Sequence, residues 1–178
     1  MRRLMAVGLS SDVLVMSGGV SAGVLDLVPG LLLELGVREV FHKVRIKPGK
    51  PVWFGVREAP SHRTLVFGLP GNPASSLVGF ELFVAPSLRA LAGRPFAPPA
   101  TASARLTAGF EHRGERATYY PARLTESPDG NLAEPLTWQG SADLRTLSLA
   151  DGLIHFPAGE RVYSVGDVVT VSRFDASL

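Results

Sequence analysis

The stretch Asp12-Val13-Leu14-Val15-Met16-Ser17-Gly18-Gly19-Val20-Ser21-Ala22-Gly23 decides how the chain is read. Its first five residues are a short apolar run, which reads as a buried, parallel strand. A small-residue loop follows from Ser17 to Gly23. A helix comes next, with Asp26 as N-cap, Pro29 in the first turn, Leu31, Leu32 and Leu35 apolar, and Gly36 as the stop. Strand, glycine-rich loop and helix make an α/β unit. In open α/β sheets ligands bind at such a loop, beyond the strand's carboxyl end. Glycines let backbone N–H groups face an anion, and Ser17 and Ser21 add hydroxyl donors. A tight turn with no ligand would look the same. Asp26 could hold a metal or orient a ligand, or simply cap its helix.

Downstream, residues 40–46, 52–56 and 64–67 read as strands. Between the first two lies the stiff turn Lys47-Pro48-Gly49-Lys50-Pro51. If 44–46 is extended, Lys43 and Lys47 point to the same side. Stacked cations repel unless an anion sits between them. After the third strand comes Gly68-Leu69-Pro70-Gly71-Asn72-Pro73, with Asn72 as N-cap and Pro73 at the first helical position. That helix shows Leu77, Phe80, Val84, Leu88 and Leu91 on one face, with a kink expected at Pro86 and an end at Gly93. Ser75 falls in its first turn, where a hydroxyl can face a ligand. Residues 94–100 (RPFAPPA) are a proline-rich break. Beyond it, short strands are expected at 103–106, 118–124, 131–135, 153–156 and 167–172, with a helical turn or two in 141–149. The first unit looks incomplete, since a doubly wound sheet has several strands before its ligand loops, and further chain is expected to precede it.

Composition sets the bounds. The chain has 178 residues, 46% hydrophobic and 19% charged, enough to bury a core and too apolar for a disordered tail. With 19 Gly and 14 Pro it is rich in turns. The absence of cysteine rules out disulfides, zinc fingers, iron–sulfur clusters and cysteine nucleophiles. A net charge of +2 does not point to nucleic acid. Only three of the 18 basic residues are Lys, and all three lie between Lys43 and Lys50. A chain that elsewhere uses Arg keeps the compact ammonium for one turn. The start Met1-Arg2-Arg3-Leu4 mimics a secretory leader, but the apolar run 4–9 is short and Asp12 soon interrupts it with a charge. No run reads as membrane-spanning. His42, His62, His112 and His155 have no metal-binding spacing and read as surface or internally satisfied residues. Trp53, Tyr119, Tyr120 and Trp138 read as core. Two anion-suited helix starts and a cationic turn within about sixty residues point to a polyanionic small molecule.

SGGVSAG with Asp26, then KPGKP, then GLPGNPAS, in this order and spacing, resemble the molybdopterin molybdenumtransferases, the MoeA and gephyrin E-domain family. QGSADL (139–144) resembles that family's QGS segment. The likeness covers roughly residues 12 to 173. It implies that 1–93 is the C-terminal portion of a three-layer, MogA-like α/β molybdopterin-binding domain, 94–100 a linker, and 101–178 a small all-β barrel. It implies insertion of molybdate into adenylylated molybdopterin with release of AMP, a Mg2+ requirement, a homodimer in the cytoplasm, and a molybdopterin adenylyltransferase as partner. Residue by residue, it makes Asp26, Lys43, Lys47 and Lys50 candidate catalytic residues, with Asp26 on the metal. Ser17, Gly18, Gly19 and Ser21 would face the pterin phosphate. Gly71, Asn72, Pro73 and Ser75 would contact substrate, with Lys47, Lys50 and Ser75 holding molybdate. Arg116 and Ser141 would complete the oxyanion site from the β part. Pro121 stands where the family often has a second Arg. The alternatives are a non-catalytic module that binds molybdopterin or a partner, and a different α/β phosphate-binding enzyme, which would not need KPGKP.

Overall fold

A computed structural model describes residues 1–20 and 27–174. The chain opens with α1 (Arg2–Gly8) and β1 (Val13–Ser17). It continues through α2 (Val28–Glu34), β2 (Arg38–His42), β3 (Ile46–Lys47), β4 (Trp53–Glu58) and β5 (Arg63–Leu69). A long helical span then runs as α3 (Pro73–Gly79), a widened π turn (Phe80–Val84) and α4 (Ala85–Leu91). The second part holds β6 (Ala102–Leu106), β7 (Phe110–His112), β8 (Ala117–Ser127), β9 (Gly130–Pro135), α5 (Leu144–Leu149), β10 (Gly152–Phe156), β11 (Arg161–Tyr163) and β12 (Val168–Arg173). Residues 94–100 form no helix or strand.

The first sheet has the order β1-β5-β4-β2. β1 is parallel to β5, as the sequence suggests, and β4 is antiparallel to both of its neighbours. β1 is not buried on both faces, however. It is an edge strand, and Val15 is 42% exposed. Helix α1, which the sequence pattern does not announce, packs Met5 and Leu9 into a core with Val20, Val28, Leu32, Val37, Trp53 and Val66. Trp53 is fully buried, and its indole N–H donates to Glu39 at 2.7 Å. The N-cap of α2 is Leu27, not Asp26, which lies outside the described residues.

The helix after β5 begins at Pro73 as expected, and Phe80, Val84 and Leu88 of the expected face pack into one core. Ala74, Ser75, Val78 and Gly79 are buried, while Leu91 is 53% exposed. The π turn, which adds a residue to one turn, rotates the end of the span, where Leu91 lies. Pro86 has no N–H to give to the carbonyl of Leu82, and the widened turn lies directly before it. The span Pro73–Leu91 is 19 residues, long and apolar enough by composition to cross a bilayer, contrary to the expectation of none. Its Val78, Val84 and Ala85 are instead buried within the protein.

The second part is a closed five-strand barrel, β10-β12-β6-β9-β8, with β8 pairing back to β10. Its core holds Leu106, Leu124, Ile154, Phe156, Tyr163 and Val171 among others. The short ribbon β7–β11, too brief at three residues per strand to show in the sequence pattern, lies beside it. β3 does not continue β2. Lys43 takes a positive φ of 72° and ends that strand, and the chain then joins the barrel sheet. There β3 runs parallel to β8, with Ile46 opposite Ala117 and Lys47 opposite Thr118.

Candidate functional site

The β3–β8 pairing places the KPGKP turn against the barrel. Between them lies a cleft of about 660 Å³. From the turn come Lys47 and Lys50, from the start of α3 Ser75, from the β7–β8 turn Arg113 and Arg116, and from the QGS segment Ser141. Five residues expected to hold an oxyanion (Lys47, Lys50, Ser75, Arg116 and Ser141) thus converge from four separate stretches of chain. Gly49 has φ 110°, a left-handed conformation that favours glycine, and a Cβ there would lie 3.2 Å from the Ile46 side chain.

The donors are oriented by bonds to backbone. Arg116 gives Nη1–H to the Ile46 carbonyl at 3.0 Å, which leaves four of its five N–H groups for a ligand. Asn72 does not cap its own helix by side chain; its Nδ2–H donates to the Ser141 hydroxyl oxygen at 2.8 Å. Ser141 therefore accepts from Asn72 and keeps its own O–H proton for an anion. The Ser141 carbonyl accepts the Ala74 N–H at 3.1 Å, satisfying one of the helix's orphan donors. Asp143 holds the same segment, accepting from the Gln139 N–H (3.1 Å), the Thr146 N–H (3.0 Å) and the Thr146 hydroxyl (2.7 Å). The Thr146 bonds, with that from Gln139, hold its carboxyl below the usual range. Ser75 is 5% exposed at the cleft floor.

Charge in the cleft is lopsided. Among the described residues that line it, the one carboxylate is Glu111, which is bound to Arg113 at 2.5 Å. Among the described residues no acid is ion-paired with Lys47, Lys50 or Arg116. Like charges gathered this way favour a bound anion. The far wall is aromatic: Phe110, Tyr120 and Trp138. Tyr120 meets Trp138 edge-on at 5.3 Å, and burial raises its phenol pKa. Trp138 Nε1 is buried without a hydrogen-bond partner. Arg113, His112, Thr118, Tyr120 and Trp138 are absent from the sequence-based candidates, because nothing local marks them; only the closed barrel brings them to KPGKP.

Other candidates fall elsewhere. Lys43 is exposed and does not line this cleft; the break at its positive φ turns it away from the side shared with Lys47 that an extended strand would have given. Gly71, Asn72 and Pro73 do not line the cleft, and Asn72 bears on it only through its bond to Ser141. Ser17 donates to the Pro70 carbonyl at 3.1 Å and sits 3.2 Å from the Ser76 hydroxyl. Gly18 gives its N–H to Leu69 at 2.9 Å and abuts Gly71. Gly18 and Gly19, both at positive φ, line a separate groove with Met1, Leu4, Met5 and Val28. Ser21 and Asp26 lie outside the described residues. Each of the four histidines bonds within the protein, as expected.

The structure is thus an α/β sheet joined to a closed barrel, with a cationic cleft at the seam. The description "Probable molybdopterin binding domain" matches residues 2–90, and "MoeA C-terminal region (domain IV)" matches 103–174. The chain belongs to the MoeA family of molybdenum cofactor biosynthesis. It is 34% identical over 162 residues to a molybdopterin molybdenumtransferase from Synechocystis and 37% to one from Synechococcus elongatus, in each case across 89% of this chain and 37% of the relative. The molybdopterin biosynthesis MoeA protein from Pyrococcus horikosii superposes with a TM-score of 0.76 at 31% identity, over 98% of this chain and 40% of that one. The chain thus spans a little over a third of the length of the relatives it matches.

Proposed function

We propose that this chain carries the oxyanion side of a molybdate-insertion site, acting on adenylylated molybdopterin with release of AMP. The observation behind the reading is the convergence of Lys47, Lys50, Ser75, Arg116 and Ser141 in one cleft. The two ammonium groups and the guanidinium offset the charge of molybdate, while the two hydroxyls donate to its oxygens. Such preorganised donors hold the oxyanion where the pterin can reach it. On the same reading the protein works as a cytoplasmic homodimer and receives its substrate from a molybdopterin adenylyltransferase. Mg2+ belongs to the family's chemistry, but among the described residues no three His, Asp or Glu side chains gather to hold an ion.

The experiment is Lys47→Arg and Lys50→Arg. An ammonium is a compact charge with rotatable donors, whereas the planar guanidinium fork needs more room. Displacing the oxyanion by about an ångström costs on the order of a hundredfold in rate. Molybdate affinity by calorimetry and AMP release from adenylylated molybdopterin should both fall in each variant. Unchanged affinity and rate in both would return KPGKP to a purely structural turn.

A further inference from the structure

We propose that His112 is a positioning residue for the cleft, which closes the turn 113–116 through Thr118 and Gly159 and so fixes Arg116. The inference rests on reading the cleft as an oxyanion site. His112 ends β7 and is 4% exposed; Thr118, near the start of β8, is also 4% exposed. Both ring nitrogens are engaged. Nδ1 lies 2.6 Å from the Gly159 carbonyl, and since a carbonyl only accepts, Nδ1 carries the hydrogen. In the neutral ring Nε2 then accepts the Thr118 hydroxyl at 2.8 Å. The ring faces Phe156, with centroids 6.0 Å apart and planes 26° from parallel.

These bonds frame one turn. The 112–118 bond crosses its base. Gly159 covers its tip, giving its N–H to the Gly114 carbonyl at 2.9 Å. Arg45 reaches the Glu115 carbonyl at 3.2 Å on one flank, and Arg116 reaches Ile46 at 3.0 Å. His112 ties the base of the turn to the β10–β11 loop that covers its tip. Thr118 is also the register partner of Lys47, so the same clasp bears on two of the cleft's cations. With the clasp open, Arg116 keeps its charge and loses its place.

The test is a double-mutant cycle read by calorimetry with molybdate on the whole chain. Thr118→Val keeps the shape and removes the hydroxyl. It should weaken molybdate binding about tenfold, the equivalent of one buried hydrogen bond. Thr118→Ser, which restores the hydroxyl, should recover most of that loss. In an Arg116→Ala background Thr118→Val should add less than about twofold, because the residue it positions is gone. His112→Phe, which keeps the ring against Phe156, carries the same expectations if the valine variant fails to fold. Wild-type affinity in Thr118→Val, or an equal loss with and without Arg116, would overturn the proposal and leave the function standing. A wild-type chain that binds neither molybdate nor tungstate would overturn the function, and this role with it.

Discussion

Two glycine-bearing loops look alike on paper, SGGV from the end of β1 and KPGKP from the end of β3, yet they build different surfaces. At SGGV two donors are committed within the protein: the Ser17 hydroxyl goes to the Pro70 carbonyl and the Gly18 N–H to the Leu69 carbonyl. The groove there, about 440 Å³, is walled by Met1, Leu4, Met5, Leu14, Met16 and Val28. At KPGKP distant segments bring Arg116 and Ser141 with donors to spare. A glycine loop permits anion binding, but uncommitted donors from elsewhere in the chain create it.

The strongest way to break this contrast is Arg116→Ala. Loss of a charge-assisted donor should weaken molybdate binding on the order of thirtyfold, measured by calorimetry. An affinity within about twofold of wild type would mean that the cleft does not use its barrel side. Asp143→Ala comes next, since it frees the segment that carries Ser141. It should weaken binding a few-fold and lower the melting temperature by a few degrees at pH 7. Because the carboxyl is held low in the folded protein, its stabilisation is present above the ordinary carboxylate range, near 4, and disappears as pH falls through the folded value. The melting difference between wild type and variant should therefore shrink in acid; a constant difference would assign it to lost packing. Ser17→Ala should have the smallest effect on the cleft, with molybdate affinity unchanged. Loss of the bond to Pro70 should lower unfolding stability in urea by about 1 kcal/mol.

Much of this was legible where signal and structure are both local. Asn72 and Pro73 mark a helix start in any context, and the short strands at 118–124 and 153–156 fall within β8 and β10. Lysine confined to 43–50 singled out the turn that lines the cleft, although Lys43 itself turns away. The hidden features depend on distance in the chain. No pattern announces that β3, two residues long, leaves its sheet for the barrel. Nor does a three-residue β7 show that His112 is both satisfied and beside the cleft. On the 73–91 helix Phe80, Val84 and Leu88 pack inward as their spacing suggests, whereas Leu91, beyond the π turn, is exposed, because periodicity assumes a constant turn.

The weld of β3 to β8 also bears on how the protein assembles. Ile46 and Arg116 are 70 positions apart, so their contact forms only after a long loop has closed and both parts have their native strands. A half-folded chain has the lysines but no cleft. An oxyanion that binds across the seam is then a ligand of the finished fold alone, and by mass action it stabilises that state over every partial one.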